Sequence, residues 1–166
     1  MSAAVLTIAL SGMVGSMVTS MSLRRVNTET ALAQQSARRT IEELQSLTFA
    51  QIFATYNATT TDDAGLAVAA RGMSFATAGL DPQDGDADGV CGEVIFPVTV
   101  VGGVPQLRED VVDADLGMPR DLDGDGVVDA LDHATNYVLL PVRVRVAWRG
   151  VSGARQLDFD TLLCTR

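Results

Sequence analysis

Tyr137–Leu163 reads YVLLPVRVRVAWRGVSGARQLDFDTLL, and its alternation decides what the C-terminal half of the chain becomes. Leu140, Val142, Val144, Val146 and Trp148 fall on one face of an extended strand, with Arg143, Arg145 and Arg149 on the other. Gln156–Leu163 alternates too, with Leu157, Phe159 and Leu163 opposite Asp158 and Asp160. Period-two patterning of this kind marks strands with one buried face. The GVSG between them (Gly150–Gly153) suits a two-residue hairpin loop. Pairing Gly150 with Gly153 sets Arg145 opposite Asp158 and Arg143 opposite Asp160. It also puts Val146–Leu157 and Val144–Phe159 on the shared apolar face, so charge pairing and burial select one register.

Upstream, EVIFPVTVV (Glu93–Val101) is rich in β-formers, but Pro97 confines it to an edge or a bulge. Together these segments predict a three- or four-stranded antiparallel sheet over residues 93–166. The stretch 57–92, rich in Gly, Ala, Thr and Asp, reads as a partly irregular connection.

Acidic residues concentrate in the middle of the chain. Between Asp62 and Asp132 there are 16 of them against Arg71, Arg108 and Arg120, and the net charge of the chain is -9. That balance excludes nucleic acid as a partner, since phosphates call for clustered basic residues. Within the acidic region, Asp121-Leu-Asp-Gly-Asp-Gly-Val-Val-Asp-Ala-Leu-Asp132 places carboxylates at positions 1, 3, 5, 9 and 12, with glycine at 6. These are the spacings of an EF-hand calcium loop, in which position 7 contributes a backbone carbonyl. The expected Ca²⁺ ligands are therefore Asp121, Asp123, Asp125, Val127 through its carbonyl, Asp129 and Asp132, the last in place of the usual glutamate. The loop resembles those of dockerin-type repeats, which also carry aspartate there. A second candidate, Asp84, Asp86, Asp88, Val90 and Glu93, repeats the D-x-D-x-D-G start; position 12 is Ile95, so Glu93 must close that shell.

His133, the only histidine, directly follows the loop and reads as an exposed helix or loop residue. Without a base beside a nucleophile, and with the aspartates better explained by metal, nothing in the sequence supports an enzyme. Cys91 and Cys164 lie outside any CxxC or Cys/His cluster, which argues against zinc. In an exported chain they are expected to form a disulfide that ties down the C-terminus; two unpaired buried thiols are the alternative.

The N-terminal half has a different character. Met1–Leu23 contains no charge, and Ala3–Leu23 is rich in Ala, Met, Val and Leu. As a helix those residues span about 31 Å, enough to cross a bilayer core. Thr, Ser, Gly12 and Gly15 dilute the segment in a way that suits close packing between helices. A secretory signal peptide would begin with basic residues, and none precedes this run. No proline occurs before Pro82, so helix can continue from Met1. From Arg24 onward Ile41, Leu44, Leu47, Ile52, Phe53 and Tyr56 recur at helical spacing, and Arg24, Arg25, Arg38, Arg39, Glu42 and Glu43 fill the other faces. The expectation is one helix over residues 1–56, packed through its Ile41–Tyr56 stripe on the sheet: an α+β chain. Residues 1–24 are then an apolar filament-core or transmembrane segment, and 25–166 a globular head.

This architecture resembles the N-terminal helix of type IV pilins and of the pseudopilins of type II secretion. The resemblance covers roughly residues 1–57, MSAAVLTIALSGMVGSMVTSMSLRRVNTETALAQQSARRTIEELQ and the turns that follow. It implies a subunit of an extracellular filament, built from copies of itself through the apolar helices. It further implies a prepilin peptidase that exposes Met1 as a new, methylated N-terminus. The inner-membrane assembly machinery would be a partner, with residence in the bacterial inner membrane before assembly and at the cell surface after it. One departure stands out: the family's glutamate at the fifth mature position is Val5 here. A membrane-anchored, single-copy calcium-dependent adhesion module is the competing reading.

Overall fold

The computed structural model describes residues 2–57 and 73–165, with residues 2–11 as backbone alone. Met1, the side chain of Val5 and residues 58–72 of the predicted connection lie outside the described residues. The chain is α+β: helix α1 (Ser2–Ser46), helix α2 (Phe49–Tyr56) and strands β1 (Ser74–Phe75), β2 (Gly92–Ile95), β3 (Val98–Val101), β4 (Val104–Leu107), β5 (Leu139–Gly150) and β6 (Gly153–Cys164). One antiparallel sheet runs in the order β1-β2-β5-β6, and β3 and β4 form a separate two-stranded ribbon.

The β5–β6 hairpin adopts the register read from the sequence: Gly150 pairs with Gly153, Arg145 with Asp158 and Arg143 with Asp160. Leu140, Val142, Val144, Val146 and Trp148 are all buried on the inner face. On the outer face Arg145 bonds Asp158 at 3.0 Å. Arg143 goes further: it bonds Asp160 at 2.7 Å and draws Asp113 and Asp115 to 3.5 Å, so that a guanidinium on the outer face is buried. Pro141 sits inside β5 without a broken ladder, because β2 pairs only with Arg143–Val146. The expected Glu93–Val101 strand divides at Phe96-Pro97 into β2 and β3, which belong to different sheets. A proline has no N–H for the ladder, so the chain leaves the sheet there.

The predicted single helix is two. Thr48 has ψ 138, an extended conformation that ends α1 and starts α2. Its carbonyl accepts from the Gln51 N–H at 2.8 Å, and the Thr48 and Gln51 side chains bond each other. Ser46 returns its hydroxyl to the Glu43 carbonyl at 2.7 Å. Side-chain hydroxyls that compete for backbone groups favour helix ends over helix interiors.

The contact seam of α1 is longer than the Ile41–Tyr56 stripe. Glu29, Ala33, Ala37, Thr40 and Leu44 are buried at steps of three or four, facing β5 and β6. Ala33 and Ala37 let the helix backbone approach the sheet closely, while Ile41 and Leu47 are only half-buried. Ile52, Phe53 and Tyr56 of α2 complete the core with Val94, Phe96 and the β5 valines. Tyr137 clasps α2 onto the start of β5: its hydroxyl donates to the Phe49 carbonyl at 2.6 Å and accepts from the Phe53 N–H at 3.4 Å.

The expected disulfide is absent; both cysteines are free, Cys91 buried and Cys164 exposed. Cys91 accepts from Ala147 at one end of β5, and Cys164 pairs with Leu139 at the other. Eight residues of strand, about 27 Å, separate those partners, whereas a bridge needs Cα atoms within about 7 Å.

Candidate metal centre

The acidic loop hangs from two fixed points. Leu122, fully buried, accepts from the Val138 and Leu139 N–H groups at 2.7 and 2.9 Å, docking the loop's entry on the start of β5. At its exit, the Leu107 N–H at the end of β4 donates to Asp132 Oδ1 at 3.1 Å. The Leu107 carbonyl accepts from the His133 N–H at 2.8 Å. Gly126, at the sixth position, has φ +88, a conformation that strains other residues and gives the loop its sharp turn. Asp121 accepts from Gly124 N–H at 2.6 Å and from Gly126 N–H at 2.8 Å. Those two amides hold its carboxyl below the usual aspartate range.

At the centre of the loop is a side chain that does not belong to it. Glu109, only 1% exposed, lies just after β4. Its Oε1 accepts from Leu122 N–H at 2.6 Å and Asp123 N–H at 3.3 Å, and its Oε2 from Asp129 N–H at 3.0 Å. Arg108 beside it turns instead to Asp110, at 2.6 Å.

His133, expected to be exposed, is 4% exposed and packs beneath the loop. Its Nε2 lies 3.1 Å from Asp129 Oδ1 and 3.8 Å from Glu109 Oε2, and its Nδ1 3.5 Å from Asp123 Oδ2. The reason is positional: the His133 amide is tied to Leu107, which turns the ring inward among acids. Burial works against the imidazolium, but the Asp129 hydrogen bond and the charges of Glu109, Asp123 and Asp129 outweigh it, raising the pKa above the usual value. Asp129 is held low mainly by the Leu131 N–H, against partial desolvation and with help from His133.

Among the described residues, metal-ligating atoms converge in two groups that share Glu109. One is Glu109, Asp121 and Asp123; the other is Glu109, Asp129 and His133. Of the ligands expected from the sequence, Asp121 and Asp123 therefore come together in one group, and Asp129 falls in the other. Asp125 is exposed and caps the Val127 N–H at 2.7 Å. Asp132 Oδ1 is engaged by the Leu107 and Ala134 amides, both at 3.1 Å. The chemistry available is that of a divalent cation site: oxygen donors predominate, the carboxylates are oriented by amides, and the imidazole stands beside them.

The second candidate loop is not gathered in this way. Asp84 pairs with Arg149 at 2.8 Å, and Asp88 takes the Ser74 hydroxyl and the Val90 N–H. Glu93 lies in β2 opposite Arg145, its carboxyl raised by desolvation.

Comparison of the chain with protein families, with characterised proteins and with solved structures finds no match.

Proposed function

We propose that the protein is a structural subunit of an extracellular filament of the type IV pilus kind, with a head stabilised by calcium in the Asp121–Asp132 loop. One observation carries the reading. Met13, Val14, Met17, Val18, Met21 and Leu23 of α1 are 55–70% exposed, while burial against the head begins only near Glu29. An apolar helical stretch of this size marks a surface that another molecule covers.

The stretch suits another copy of itself. Thr19 donates to the Gly15 carbonyl at 3.0 Å and Ser22 to the Val18 carbonyl at 3.1 Å, so these hydroxyls are satisfied inside the helix. Gly12 and Gly15 have open space beside them, room for a neighbouring backbone to approach. Among the described residues, no helix is long and apolar enough to cross a membrane. In this reading assembly proceeds at the bacterial inner membrane, after a prepilin peptidase acts, and ends at the cell surface.

A photo-activatable residue in place of Met17 tests this in the native cell. The expected product is a ladder of covalent multimers in sheared surface filaments. Monomer cross-linked to lipid alone would instead support a singly anchored adhesion module.

A further inference from the structure

We propose that Glu109 closes the cation shell of the acidic loop together with Asp121 and Asp123, and that Asp132 is a clamp on β4 rather than a ligand. The inference rests on the reading that this loop binds calcium, and names which carboxylates do so.

Two independent observations support it. The first is convergence: ligand atoms of Glu109, Asp121 and Asp123 lie within 4.8 Å of one another, and Glu109 is among the most deeply buried side chains of the protein. A buried carboxylate is costly unless its charge is met. Three amides meet part of it, and a carboxylate offers about four acceptor positions, leaving one of them for a cation. The second is His133, whose Nδ1 is buried without a hydrogen-bond partner among the described residues and faces Asp123 Oδ2 at 3.5 Å. A buried polar atom without a partner, set against a knot of acids, marks a place where a ligand belongs. A divalent cation among Glu109, Asp121 and Asp123 supplies positive charge to the knot, and a water on that cation gives Nδ1 its partner.

Asp132 lies outside both groups of converging ligand atoms. Its Oδ1 takes two amide hydrogens, one of them from β4, and so holds the loop exit against the ribbon. The glutamate that an EF-hand loop carries at position 12 is thus supplied from outside the loop. The oxygen-rich set selects a hard cation of the calcium class.

Calorimetric titration of the full-length chain with Ca²⁺ separates the possibilities. Glu109→Gln keeps an oxygen for the Leu122 and Asp123 amides but removes the charge, and should weaken Ca²⁺ binding by about 10–100-fold. Asp132→Asn keeps an oxygen for both of its amides and should weaken binding much less. Carbon-13 shifts of the side-chain carboxyls in the wild-type chain provide a readout independent of any variant. Glu109 should move on calcium addition, and Asp132 should not. A wild-type chain that binds Ca²⁺ while Asp132 moves and Glu109 stays still overturns this inference alone. A wild-type chain that binds no Ca²⁺ overturns the calcium reading with it.

Discussion

Two arginines on one face of β5 do different work. Arg145 forms an ion pair with Asp158, and both side chains are partly open to solvent. Arg143 holds Asp160, Asp113 and Asp115 and is buried. Arg145→Glu should therefore lower stability by only about 0.2–1 kcal/mol, and Arg143→Ala by more, as chemical denaturation would measure. Asp158 also gives a pH test. Desolvation raises its pKa, but hydrogen bonds from Arg145 and Gln156 more than offset that, leaving it below the ordinary 3.8. A depressed folded-state pKa contributes stability above the unfolded value that is lost as pH falls through the folded one. The stability gap between wild type and Asp158→Asn should accordingly be open at pH 6 and close below about pH 3.8. The Arg–Asp pairs were legible because hairpin geometry is local. Glu109 and His133 were not: Glu109 precedes the loop by a dozen positions, and no spacing rule links it there. The direct approach of Leu107 to Asp132 and His133, which turns the imidazole inward, is a tertiary fact.

At the level of elements, the seam of α1 depends on small side chains. Ala33 and Ala37 are fully buried between the helix and the sheet. Ala37→Leu should push α1 off β5 and cost about 1–3 kcal/mol, whereas Leu44→Ala leaves a cavity and costs about 2–5 kcal/mol. Phe159 is half-buried, so its truncation should cost less than that of Leu44. Equal thermal shifts for Leu44→Ala and Phe159→Ala would contradict this burial assignment. Alanine and threonine carry little hydrophobic signal, which is why the seam was visible in the sequence only from Ile41 onward. The break between α1 and α2 did leave a trace: Thr48-Phe-Ala-Gln51 has the spacing of a helix-start signature. Continuous apolar periodicity across it concealed that trace. The free cysteines show the opposite failure, where a residue count suggested a bond that the length of β5 forbids.

For the molecule as a whole, the proposed filament contact and the packed head lie in separate parts of the chain and should respond separately. The loop touches the core through Leu122 and β4 through Leu107, both fully buried, so ordering it stabilises the head. If the loop binds calcium as proposed, the ion at a hundredfold above its Kd would add about 2.7 kcal/mol to the folded state. For a chain of this size that is a rise in unfolding temperature of roughly 5–10 °C, reversed by EGTA. Asp121→Ala should remove most of the shift, because that carboxylate orients the loop and would face the proposed cation. Asp84→Ala should leave it, since Asp84 is engaged with Arg149. The exposed part of α1 follows other rules. Met17 is 55% exposed, and burial against the head begins only near Glu29, so Met17→Glu should leave the unfolding temperature within about 2 °C. In a filament, however, each copy of the glutamate would enter an apolar helix bundle without a partner, at a cost of several kcal/mol per subunit. Cells carrying Met17→Glu should therefore make a folded, calcium-responsive subunit and no filaments under electron microscopy. Filaments at wild-type abundance would mean that this face of α1 is not where the subunits meet.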